Sequence, residues 1–114
     1  MKTFQNTAAQ GDVYFQRVDA LPEGVVEVPA EEGQVIVAHS ETGHHHVMDA
    51  ETTKMYRLPE EIYEAFLVVD QPTELQHLRD HHTHETLEVP PGVFRITNQR
   101  EQDLQAQRVQ RVAD

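Results

Sequence analysis

The sequence predicts an all-β fold, a small antiparallel barrel or sandwich followed by a C-terminal α-helix. Two observations favour it: apolar residues fall in short clusters, and turn residues separate those clusters at short intervals. Short strands divided by turns are typical of sandwiches and barrels. Because 114 residues suit one domain, we divide the chain into a flexible N-terminal arm (1–10), a β domain (11–98) and the helix (99–114).

The arm is predicted because the first ten residues are polar and lack periodicity. Beyond them, period-two alternation and β-branched residues indicate strands, and glycine or proline marks the turns between them. The strands are predicted over 13–18, 25–28, 34–39, 44–48, 54–58, 65–70, 74–77, 87–89 and 93–97. The tail contains neither glycine nor proline, and Leu104, Val109 and Val112 recur at roughly helical spacing. This spacing predicts an amphipathic helix.

Composition excludes several classes of function. Twenty acidic and nine basic residues give a net charge of −11, whereas nucleic-acid binding requires a basic surface. No apolar run approaches the roughly 20 residues of a membrane span, and the N-terminus lacks the layout of a secretory signal. We therefore expect a cytoplasmic protein that binds neither nucleic acid nor membrane. Because the chain has no cysteine, thiolate metal sites and cysteine nucleophiles are excluded.

Eight histidines form two clusters, one around a predicted hairpin and one in a later polar segment. The first cluster contains His39, His44, His45 and His46, and the second contains His77, His81, His82 and His84. Residues i and i+2 of a strand share a face, so His44 and His46 can converge on one ion. The second cluster would add His81 and His84, or His77 in place of His81. Imidazoles in this number suit zinc, iron, nickel or copper.

Two stretches resemble the cupin motifs. His44-His45-His46 followed by Glu51 has the spacing of the first motif, and Pro90-Pro91-Gly92 resembles the turn of the second. The chain departs from the pattern at Arg95, which stands where the second motif has histidine, and at Ala38, which stands where the first has glycine. The resemblance implies a β-barrel, and it makes Glu51 a candidate ligand or general base.

Residues 10 to 113 resemble a family of small bacterial and phage-type proteins of uncharacterised function. The segments that carry the resemblance are Gly11-Asp12-Val13, Thr42-Gly43-His44-His45-His46, His81-His82-Thr83-His84, Pro90-Pro91-Gly92 and Gln99-Arg100-Glu101. Gln102 departs from the tyrosine that is usual in that family. On these motifs His44, His46 and His84 carry over to the site, together with His81.

Two functions of different classes remain open. In the first, a β-barrel protein binds a divalent metal through His44, His46, His81 and His84 and acts on a small molecule that the sequence does not identify. In the second, the chain is a non-enzymatic phage or prophage accessory or assembly protein that forms a homo-oligomer through strand edges and the exposed tail helix. Its histidines would then be polar hairpin residues or a pH-responsive contact.

Overall fold

The computed structural model describes residues 2–38, 45–61, 63–77 and 86–98. These residues form eleven strands, whose positions match the predicted strands to within two residues from β3 onwards. They are β1 (Lys2–Thr3), β2 (Thr7–Gln10), β3 (Val13–Val18), β4 (Val26–Val28), β5 (Gln34–Ala38), β6 (His46–Asp49), β7 (Thr53–Arg57), β8 (Glu64–Val69), β9 (Thr73–His77), β10 (Leu87–Val89) and β11 (Gly92–Asn98). The all-β prediction is thereby confirmed for the described part of the chain.

The strands form two sheets. The six-stranded sheet has the order β2-β3-β11-β8-β7-β4, and all of its pairs are antiparallel. The five-stranded sheet has the order β1-β10-β9-β6-β5, in which only the β1–β10 pair is parallel. Across the described residues each sheet keeps two edge strands, so the sheets do not close on each other and the fold is a sandwich. The barrel alternative is therefore wrong.

One hydrophobic core holds the sheets face to face. Its buried side chains come from both sheets, as the alternation of the strands requires. The five-stranded sheet contributes Val35, Met48, Leu75, Leu87 and Val89 among others, and the six-stranded sheet contributes Phe15, Leu67, Phe94 and Ile96 among others. Burial of apolar area on this scale is the main stabilising contribution to a small domain.

The N-terminal segment is part of the sandwich. Lys2–Thr3 and Thr7–Gln10 are strands, and Ala8 and Gln10 are buried on the core-facing side of β2. The prediction of a flexible arm over 1–10 is corrected here, since a four-residue edge strand is too short for a clear period-two signal. The predicted helix over 99–114 lies outside the described residues. Within the described residues no helix could span a membrane.

Arg17 ties the N-terminal segment to the turn between β10 and β11. Its Nε donates to the Gln5 carbonyl at 2.8 Å, and its Nη1 donates to the Pro91 carbonyl at 3.0 Å. The guanidinium also lies 4.8 Å from the ring centroid of Phe94, a cation–π distance. Gly92 has φ of +146°, which side chains rarely adopt, and a Cβ there would also displace Arg17 Nη1, so glycine is favoured at this position.

Candidate metal centre

Among the four predicted histidine ligands, His46 is the one whose side chain the structure describes. It opens β6, and like Met48 two residues later it lies on the core-facing side of the five-stranded sheet. Its side chain is 9% exposed, and its Nδ1 lies 2.7 Å from Oε1 of Gln10. Gln10 belongs to β2 of the other sheet, so this contact crosses the sandwich.

The direction of this hydrogen bond follows from the other end of the Gln10 amide. Gln10 Nε2 donates to the Leu75 carbonyl at 3.1 Å, and a carbonyl can only accept. Oε1 of Gln10 therefore faces His46 and requires a proton on Nδ1 of that ring. In a neutral imidazole with this proton, Nε2 carries the lone pair that can bind a metal.

The histidine-rich segments border on neighbouring strands. His46 is the pairing partner of His77 in β9 and also of Ala38 at the end of β5. One segment joins Ala38 to His46, and the other runs from His77 to Leu87 at the start of β10. In an antiparallel pair the end of one strand lies beside the start of its neighbour. Both segments therefore begin and end at the same end of the five-stranded sheet.

The remaining predicted histidine ligands lie outside the described residues. These are His44, His81 and His84. Within the described residues no group of three or more histidine, aspartate or glutamate side chains is arranged to hold a metal ion. The backbone of His77 pairs with that of His46, so residue 77 lies at the same end of the five-stranded sheet as His46.

Glu51 is not brought to that end. It follows Asp49, the last residue of β6, and its backbone N–H donates to Oδ1 of Asp49 at 2.9 Å. The strand from His46 to Asp49 rises about 10 Å, given roughly 3.3 Å per residue. Glu51 is exposed in the turn beyond it. The described geometry therefore separates this predicted base or ligand from His46.

Two features of the structure escaped the sequence analysis. One is Gln10, whose partners lie 36 and 65 residues away along the chain, so no local signal reveals it. The other is an open cleft of about 480 Å³, whose lining includes Asp49, Thr52, Thr73 and Glu74. It lies toward the Asp49 end of β6.

Comparison with known proteins identifies a family. Residues 9–99 match the family described as Domain of unknown function (DUF8820). No curated protein and no solved structure matches the chain. The match spans most of the sequence, including β3 to β11 and both histidine-rich segments. The chain belongs to the DUF8820 family.

Proposed function

We propose that this protein binds a divalent metal ion through histidines at one end of the five-stranded sheet. The ligands are His44, His46, His81 and His84, with His77 as the alternative to His81. The observation that carries the proposal is the pairing of His46 with His77 on adjacent strands. Each of these two residues lies at one end of a histidine-rich segment. Residues more than thirty positions apart in sequence therefore border one site.

The environment of His46 supports a role as ligand. Protein-bound metals are typically held by imidazoles whose second ring N–H donates to a carbonyl or carboxylate oxygen. The Gln10 amide oxygen supplies such an acceptor at 2.7 Å. Because no cysteine is present, imidazole and carboxylate are the strong ligands that the chain offers. A histidine set of this kind suits zinc, iron, nickel or copper.

The proposed activity depends on how many coordination positions of the metal the protein side chains fill. Four protein ligands would give zinc a closed tetrahedral shell, which is typical of a structural site. Three would leave a position for water or substrate, and the metal would then polarise a small molecule or activate water. The substrate in that case is a small molecule that reaches the end of the five-stranded sheet that both histidine-rich segments border.

Zinc titration of untagged protein, followed by calorimetry, tests the proposal. We expect about one equivalent to bind wild-type protein, and binding to be lost when His46 and His84 are both changed to alanine. His45→Ala is the matched control, because His45 immediately precedes β6, is half-buried and is not one of the proposed ligands. Equal binding by the wild type and the His46→Ala/His84→Ala variant would contradict the proposal.

Self-association is a second candidate function, and the open edges of the two sheets favour it. Edge strand β4 carries Val26, which is 59% exposed and is the one large hydrophobic side chain that is exposed among the described residues. Unpaired strand edges are templates for pairing with another chain. This surface fits the accessory or assembly role of the second hypothesis.

Light scattering at increasing concentration distinguishes this second function. A protein that assembles through β4 would form a dimer or larger species, and Val26→Lys would return it to the monomer because charged side chains on an edge oppose pairing. Lys54→Glu, on the neighbouring strand and also exposed, controls for a general effect of charge. A monomer at all concentrations would exclude assembly through β4.

A further inference from the structure

We infer that Gln10 is a positioning residue for the proposed metal site, which fixes His46 in the tautomer that offers Nε2 to the metal. The inference rests on the proposed function, and it adds a residue from the opposite sheet to the site. Gln10 would bind no metal itself. Its role is to hold the proton on Nδ1 of His46 and to set the orientation of the ring.

The amide of Gln10 is held at both ends. The side chain is 4% exposed, with its Nε2 on the Leu75 carbonyl at 3.1 Å and its Oε1 on His46 Nδ1 at 2.7 Å. Rotating the amide by 180° would place its oxygen against the Leu75 carbonyl oxygen, which is repulsive. The amide therefore has one orientation, and the imidazole that donates to it has one tautomer.

This geometry gives Gln10 an influence on metal affinity. A neutral imidazole in water divides its proton between the two nitrogens, and a metal binds through the nitrogen that lacks it. An acceptor fixed on Nδ1 removes that ambiguity and raises the basicity of Nε2. Loss of such a partner typically weakens metal binding by roughly 10–100-fold.

The position of Gln10 also links the site to the packing of the two sheets. Gln10 ends β2, an edge strand of the six-stranded sheet, whereas His46 and Leu75 belong to the five-stranded sheet. A metal that holds His46 in one orientation therefore favours the position of β2 against β6 and β9. We expect zinc to slow hydrogen exchange at the backbone amides of β2.

Nitrogen NMR of the imidazoles and zinc titration together test the inference. In metal-free wild type we expect His46 to carry its proton on Nδ1, whereas Gln10→Met, which keeps the length and loses both polar ends, should shift the proton toward Nε2. Zinc affinity should fall by roughly 10–100-fold in Gln10→Met.

Gln76→Met is the matched control, because Gln76 is exposed on β9 and its side chain donates to Glu74. Wild type with its His46 proton on Nε2 would overturn the inference without any variant, so a failure of Gln10→Met to fold does not prevent the test. Wild-type zinc affinity in a folded Gln10→Met variant would overturn it as well. Absence of zinc binding by the wild type would instead refute the proposed function, while the NMR measurement would still report on the tautomer.

Discussion

Replacing Gly92 with alanine is expected to destabilise the sandwich, because the side chain of Arg17 packs against this glycine, the first residue of β11. Gly92 has φ of +146°, a region that side chains rarely adopt. The new Cβ would overlap Arg17 Nη1 and lie 3.1 Å from Arg17 Cζ. Arg17 must then move, and its contacts with the Pro91 carbonyl and the Phe94 ring are weakened or lost.

The magnitude follows from these contacts. Backbone strain at such a φ costs about 1–3 kcal/mol. The half-buried Arg17 loses a hydrogen bond and a cation–π contact, each about 0.5–1 kcal/mol at a partly exposed site. We expect a loss of about 2–5 kcal/mol in the free energy of unfolding, with a fall in Tm of about 8–20 °C for a domain of this size.

Urea denaturation followed by circular dichroism measures the effect. Gly24→Ala is the matched control, because Gly24 also has a positive φ, +83°, but no atom lies within 4 Å of the position that its new Cβ would take. That variant should lose only the backbone part, about 1–2 kcal/mol. In an Arg17→Ala background, the cost of Gly92→Ala should fall toward the same value. A Gly92→Ala variant no less stable than Gly24→Ala would refute the role given to Arg17.

Four further substitutions test the packing and one of the turns. Thr53→Val should stabilise the fold by about 1 kcal/mol, because Thr53 Oγ1 is buried with no hydrogen-bond partner among the described residues. Thr73→Val should destabilise the fold, since the Thr73 hydroxyl is hydrogen-bonded to Thr52 and Gln71. Glu32→Asn should stabilise the turn by about 0.5–1 kcal/mol, because Glu32 has φ of +51° and asparagine tolerates this region better. Phe94→Ala should cost about 3–5 kcal/mol, because Phe94 is fully buried against Phe4 and Phe15. Thermal unfolding measures all four, and a change of the opposite sign would contradict the packing or turn conformation described for that residue.

The sequence was sufficient to locate strands β3 to β11, because each carries a local signal. Val13–Val18 and Leu87–Val89 were predicted with the observed bounds, since turns with glycine or proline flank them. Sheet order is not local, and period-two alternation is the same in a barrel and in a sandwich. The choice between them depends on whether the edge strands pair, which alternation does not encode.

The N-terminal strands and Gln10 were missed for a related reason. β2 has four residues, and its buried positions are Ala8 and Gln10, one small and one polar. Neither stands out as a core residue in the sequence. Burial of Gln10 is stabilised by partners on two strands of the other sheet, so only the assembled fold reveals it.

The candidate site shows the same division between local and distant signals. The histidine spacing predicted His46 as a ligand, and in the structure its side chain is buried beside an acceptor for its Nδ1 proton. The cupin spacing also drew attention to Glu51, yet the strand direction carries Glu51 to the other end of β6. Spacing along a strand therefore predicts which residues lie on the same face of the sheet. It does not predict which residues lie at the same end of the strand.

Zinc-edge X-ray absorption on protein loaded with equimolar zinc and desalted tests the histidine site most directly. We expect nitrogen ligands at about 2.0–2.1 Å, with the outer-shell scattering of at least three imidazoles. The His46→Ala/His84→Ala variant should retain no zinc after desalting. Zinc bound only by oxygen ligands in the wild type, or zinc lost entirely on desalting, would contradict a metal site built from the two histidine-rich segments.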